Sequence, residues 1–320
     1  EAEETVEKLR LLVERYPDNQ ELVYRYALCI FMLFQKEAAG AEETEEKLRL
    51  LVDSYPDNQK LVKIYAEGLS FLLSLRQEAD AVEERVEKLR LLVDRYPDNQ
   101  ELVKIYAKGI DYLFRKQGAD KAEETVEKLR LLVERYPENP KLIVQYAEVL
   151  SALLSLRQEG AEAEETVEKL RLLVERYPEN PELIVQYAEG LVNLSSKQEA
   201  VAAAETVETL RLLVDRGMQR YWNKKRLKFL YVKGLVNLSS KQKVAAAEET
   251  VEKLRLLADR YPDNKELVNA YTLGLVNLSA KQEDAELAGT VEKLESLQGK
   301  QKFLIWINQK IFEAEETVEK

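Results

Sequence analysis

Apolar residues recur at three- and four-residue spacing along most of the chain, and the same pattern restarts again and again. Its clearest copy is VEKLRLLVERYPENPELIVQYAEGL, from Val167 to Leu191. Val167, Leu170, Leu173, Val174 and Tyr177 make one apolar helical face, with Glu168, Lys169, Arg171 and Glu175 left for solvent. Pro178 predicts the end of that helix, because proline disfavours helical backbone in the residue before it. Asn180 is placed to cap a second helix, and Pro181 to start it where a missing N–H costs nothing. The unit reads as helix, turn, helix.

The turn recurs with its tyrosine at Tyr16, Tyr55, Tyr96, Tyr136, Tyr177 and Tyr261, spaced by 39, 41, 40, 41 and then 84 residues across one altered copy. A period in this range predicts a solenoid of helix pairs, each burying its apolar face on its neighbours. The chain then reads as one array: a half repeat over 1–17, regular repeats over 18–216, an altered repeat over 217–245, regular repeats over 246–298 and an irregular end over 299–320.

Composition narrows the chemistry. The 48 basic and 59 acidic residues give a net charge of −11, which argues against a chain-wide nucleic-acid surface. No apolar run approaches the ~20 residues of a membrane span, and the acidic N-terminus does not resemble a signal peptide, so a soluble chain is expected. A single cysteine, Cys29, excludes an internal disulfide, suits a reducing, cytoplasmic-type compartment and reads as a small, semi-buried helix residue. With no histidine, the usual general base and zinc ligand are missing, and neither a phosphate loop nor a calcium loop is present. We expect no enzyme activity and no cofactor or metal. Gly68, Gly109 and Gly190 fall inside helices, where small size permits close packing.

The helix after each proline, as in Glu101-Leu102-Val103-Lys104-Ile105-Tyr106-Ala107, resembles the first helix of the tetratricopeptide-repeat family, whose usual repeat is about 34 residues. Tyr106 stands where the family has its leucine, Ala107 where it has a small glycine and Ile110 where it has its tyrosine, while Val103 replaces its tryptophan. The resemblance implies an all-α fold, a right-handed α-solenoid, whose concave groove is lined by one face of each first helix. Carried over position by position, that face is Tyr24, Arg25, Leu28, Phe31 and Met32; then Lys63, Ile64, Glu67, Ser70 and Phe71; then Lys104, Ile105, Lys108, Asp111 and Tyr112. It continues as Val144, Gln145, Glu148, Ser151 and Ala152, and as Val185, Gln186, Glu189, Val192 and Asn193. Periodicity supports the same division, since Leu22, Tyr26, Ile30 and Leu33 make a core stripe that leaves 24, 25, 28, 31 and 32 pointing away.

These outward positions are where the copies differ most, whereas the helices before each proline repeat almost verbatim. Such a chain reads as engineered, or selected, at one face. Met32, Phe71 and Tyr112 stand where later copies carry Asn193, and exposing several large apolar groups invites a covering partner. Phe34, Leu73, Phe114 and Leu154, in the place of Ser195, are expected to thicken the interior.

The altered copy inserts four residues, about one helical turn, and makes the segment basic and aromatic: Arg220, Tyr221, Trp222, Lys224, Lys225 and Arg226. It suits a lock against neighbouring Glu-rich helices or an acidic protein segment better than nucleic acid. Near the end, Phe303 to Ile307 is apolar on all sides, and Glu313 to Lys320 repeats Glu1 to Lys8, so copies could associate through their terminal repeats. The favoured expectation is a binding module for a peptide or protein segment. The alternatives are a self-assembling or ring-closing homo-oligomer, and a small-molecule pocket between Phe31, Met32 and Phe71.

Overall fold

A computed structural model of the chain describes residues 2–37, 40–75, 79–117, 119–157, 160–220 and 224–297. Among them every regular element is an α-helix. In chain order these are α1 (Ala2–Arg15), α2 (Gln20–Glu37), α3 (Ala41–Ser54), α4 (Gln59–Ser74), α5 (Ala79–Arg95), α6 (Gln100–Lys116), α7 (Ala119–Arg135) and α8 (Pro140–Leu156). There follow α9 (Gly160–Arg176), α10 (Pro181–Ser195), α11 (Ala200–Arg220), α12 (Lys224–Lys241), α13 (Val244–Arg260), α14 (Lys265–Ser279) and α15 (Asp284–Leu297). The apolar and tail segments at 299–320 lie outside the described residues.

The chain divides into two compact units, Glu1–Val149 and Leu150–Lys320, with the division inside α8. In the first unit α2 packs on α4 and α4 on α6; in the second α10 packs on α12 and α12 on α14, and the odd helices flank this even-numbered layer. This is an all-α solenoid of helical repeats.

The turn does the two things its residues allow. Asn180 Oδ1 accepts from the backbone N–H groups of Glu182 and Leu183 at 3.0 and 3.4 Å, and Asn58, Asn99 and Asn264 cap α4, α6 and α14 in the same way. The turns also bond to one another. In the first unit, Tyr96 and Tyr136 donate their hydroxyls to the carbonyls of Pro56 and Pro97 at 2.8 and 3.0 Å. Asn99 and Asn139 donate their side-chain amides to Gln59 and Gln100 at 2.9 and 3.2 Å. One short motif therefore starts a helix and ties it to the repeat before.

Five hairpins close on a leucine seated over a glycine; in α8 that position is the buried Val149. A Cβ on Gly68, Gly109, Gly234 or Gly274 would lie 3.2, 3.1, 3.1 or 2.7 Å from a methyl of Leu48, Leu89, Leu210 or Leu254 of the preceding helix. At Gly190 it would lie 2.8 Å from Leu170 and 3.3 Å from Leu154. Cys29 takes this position in α2, which explains a small, semi-buried thiol there.

The first unit also contains one matched pair of departures. Glu45 replaces the valine that Val86 and Val126 show, and Arg85 replaces the threonine of Thr125. Both side chains are 9% exposed, and Arg85 Nε lies 3.2 Å from Glu45 Oε2, with Lys88 Nζ 2.5 Å from the other oxygen. A valine-to-glutamate change in the interior is tolerated because the next repeat supplies the cation.

Two stability predictions follow from this packing. Gly190→Ala should destabilise by about 1 kcal/mol in denaturant titration, since overpacking among buried leucines outweighs the better helix propensity, whereas Gly289→Ala, with nothing within 4 Å, should stabilise by about 0.5–1 kcal/mol. Glu45→Val alone should cost roughly 3 kcal/mol by leaving the Arg85 charge buried without its carboxylate; adding Arg85→Thr should restore stability to the parent value or above.

Candidate functional site

The face carried over from the family resemblance lies on the even helices, and these are buried more widely than one stripe allows. In the first unit α4 is enclosed by α2, α3, α5 and α6, so packing reaches around both flanks. The core side of α2 is Val23, Tyr26, Ala27, Ile30, Phe31 and Phe34, with Leu22 and Leu33 only half-buried. Phe31 (8% exposed), Ile64 (3%) and Ile105 (9%) therefore point into the packing, which corrects their expected outward direction. Phe31 also lies against the space left by Gly68, 3.9 Å from where a Cβ would sit. In the second unit Ser151, Val185 and Val192 are buried for the same reason. Phe34, Leu73, Phe114, Leu154 and Ser195 are all interior, as expected.

What remains accessible in the first unit is a mixed strip. Met32 is 53% exposed, and Phe71 and Tyr112, at the same register on α4 and α6, are half-buried. Phe71 packs edge-on against Phe34, with ring centroids 5.1 Å apart, and Tyr112 donates to the carbonyl of Ser74 at 3.3 Å. Each aromatic thus leans on the even helix before it; Met32 has no such neighbour among the described residues and stays open. Around them Arg25 pairs with Glu21 at 3.0 Å, Lys104 with Glu101 at 3.0 Å, and Asp111 with Arg115 at 3.0 Å, which pushes the Arg115 guanidinium above its usual range. Tyr24 is half-exposed beneath Lys60, whose ammonium stands 5.0 Å from the ring centroid. Leu28 and Gln145 are half-buried, and Lys108 is exposed.

On α12 and α14 of the second unit the same register is polar and self-satisfied. Asn237 donates to the Val192 carbonyl at 3.1 Å and to Ser195 Oγ at 3.2 Å; Asn277 repeats this on the Val236 carbonyl at 3.3 Å and on Ser239 Oγ at 3.0 Å. The Gly-Leu-Val-Asn-Leu-Ser segment is thus an interhelix hydrogen-bond clip. Gln186 is half-buried, and its carbonyl accepts from Ser151 Oγ at 3.4 Å.

The basic insert lengthens α11 to 21 residues, against 17 for α9, which accommodates the added turn. Arg220 ends α11, while Tyr221 and Trp222 lie outside the described residues. Lys225 is exposed. Of its neighbours, Arg226 Nε contacts Glu189 Oε1 at 2.9 Å, and Lys228 donates to Tyr261 Oη at 2.9 Å, which lowers the Tyr261 pKa. Phe229 is 36% exposed, with Lys233 5.7 Å from its ring centroid. The described part of the insert thus fastens α12 to α10 and to the turn before α14.

Two features escaped the sequence reading. Half-exposed leucines stand on every odd helix from α1 to α13: Leu11, with Leu12 beside it, Leu50, Leu91 and Leu131 in the first unit, and Leu172, Leu212 and Leu256 in the second. The signal was available, because Leu172 falls between Arg171 and Leu173, off the Val167–Leu170 stripe. The other is a pair of clefts between odd helices, formed by residues that are far apart in sequence.

Among the described residues no helix is long and apolar enough to cross a membrane, and no group of three or more acidic or cysteine side chains is arranged to hold a metal ion. No protein-family model matches the chain, and no curated protein matches it significantly.

Proposed function

We propose that the protein is a non-enzymatic, tetratricopeptide-like binding scaffold that takes a peptide or protein segment on the even-helix face of its first unit. The observation that carries this is the register of Met32, Phe71 and Tyr112, accessible apolar and aromatic groups on three successive even helices, set among charged residues. Rigid aromatics in a polar surround are common anchors of protein interfaces. The odd helices repeat almost verbatim while this face varies, which supports a scaffold built or selected for recognition. Phe31, Ile64 and Ile105 serve the interior that holds the face rigid.

Association of copies is a second reading, favoured by the leucine that each odd helix from α1 to α13 leaves half-exposed.

A peptide selected from a displayed library against the full chain should lose at least tenfold in affinity, by calorimetry, on Met32→Asp with Tyr112→Ala, and Asn237→Ala should leave it unchanged. An affinity indifferent to Met32 and Tyr112 removes the even-helix face from consideration. For the second reading, light scattering across a concentration series should show a rising mass that Leu91→Glu abolishes; a constant monomer mass rules it out.

A further inference from the structure

The repeats of the first unit meet through contacts that are nearly interchangeable. Glu-Lys-Leu-Arg-Leu-Leu recurs unchanged at 46–51, 87–92 and 127–132. Successive turns are joined by the same bond, Tyr96 on the Pro56 carbonyl and Tyr136 on the Pro97 carbonyl. Contacts of this kind form whichever copy of the repeat is presented, so nothing in them decides which hairpin follows which. Misdocking of like repeats is a characteristic failure of such chains.

One junction departs from this. In the place of Arg85 other copies carry a threonine that bonds within its own hairpin: Thr125 donates to Gln117, just after α6, and in the second unit Thr206, Thr250 and Thr290 donate to Gln198, Gln242 and Gln282 at 2.6, 2.7 and 2.6 Å. A threonine used this way carries no information about the preceding repeat. Arg85 instead reaches back across the junction, with its Nε 3.2 Å from Glu45, and Lys88 approaches the other oxygen of that carboxylate at 2.5 Å. The lysine is not the departure, because Lys128 and Lys293 hold the same place beside Val86 and Val251 in the clefts over Tyr106 and Tyr271. The two residues that depart, Glu45 and Arg85, are the two that meet.

Both side chains are 9% exposed, so either is costly against an ordinary neighbour. Were α7 to dock on α3, Glu45 would face Thr125; were α5 to dock on α1, Arg85 would face Val6. The native order alone matches the charges. A buried polar contact that only one arrangement satisfies is an attested means of fixing register.

We propose that the Glu45–Arg85 pair fixes the order of hairpins in the first unit, selecting α5 as the successor of α3 where the other contacts would accept another repeat. This role is separate from stability, to which a valine and a threonine at the two positions contribute at least as much, and from whatever the even-helix face binds.

The test is the docking partner of α7, read by carbodiimide cross-linking of the full chain after rapid dilution from denaturant. Lys121 lies 3.2 Å from Glu83 of α5 in the native order, and would meet Glu42, which stands on α3 where Glu83 stands on α5, if α7 docked on α3 instead. In the parent the Lys121–Glu83 product should dominate. Glu45→Val with Arg85→Thr should raise the Lys121–Glu42 share about threefold or more, at a denaturant midpoint no lower than the parent's. Val86→Glu with Thr125→Arg writes the same pair onto the next junction, so every charge keeps a partner but α3 can accept α7. It should raise the Lys121–Glu42 share likewise, a result that a purely stabilising pair does not give. The proposal is overturned if the first variant, refolded to the parent's midpoint, keeps the parental share. Should that variant fall short of the midpoint, the duplicated pair decides, and a parental share there overturns the proposal.

Discussion

The contact of an odd-helix leucine with an even-helix glycine sets the distance between the two helices of a hairpin, and the remaining packing depends on that distance. Without a Cβ at Gly109 or Gly190, Leu89 or Leu170 can settle onto the backbone itself. Close approach brings the even helices within reach of one another as well, so each is covered on its flanks and not only on the side of its own hairpin. Apolar residues placed around most of the even-helix circumference are consequently satisfied. The odd helices, covered on one side, must remain amphipathic, and their arginines are held by glutamates three residues before and acids four residues after, as with Arg171 between Glu168 and Glu175.

That enclosure explains why one register carries such different residues. At the position of Asn237, the side chain reaches the C-terminal part of the preceding even helix. An asparagine can meet the carbonyl and serine there by hydrogen bonding, as Asn237 and Asn277 do. An aromatic can meet it by packing, as Phe71 does on Phe34. Exchange of polar for aromatic is therefore a change of clip that also alters what the outer edge presents. No even helix precedes α2 among the described residues, and Met32 is about half exposed.

The helices, their order and the capping turn could be read from local chemistry: spacing of apolar residues, proline before asparagine, glycine within a helix. Orientation on the even helices was less legible. A single stripe through Leu22, Tyr26, Ile30 and Leu33 places Phe31 outside, yet the structure buries Phe31, because a helix enclosed on several sides has no single core direction. Periodicity reports the strongest face and is blind to the second neighbour. The clefts above Tyr106 and Tyr271 were hidden for a different reason. Each residue lining them already had an ordinary explanation, and only the third dimension brings glutamates from one odd helix opposite a lysine from the next.

Repetition and variation give the two kinds of surface different capacities. The clefts over Tyr106 and Tyr271 present the same residue types, one described in each unit, so neither offers a contact that distinguishes one position in the array from another. A face whose residues change from Met32 to Phe71 to Tyr112 offers unlike contacts in fixed order, and order is what discriminates among partner sequences. Because the tyrosine of each cleft and the varied residues of the face sit on the same even helix, six residues apart at Tyr106 and Tyr112, both surfaces are held by the same leucine-on-glycine contact. Loosening that contact would disturb both at once, which gives the glycine a stricter requirement than either surface imposes alone.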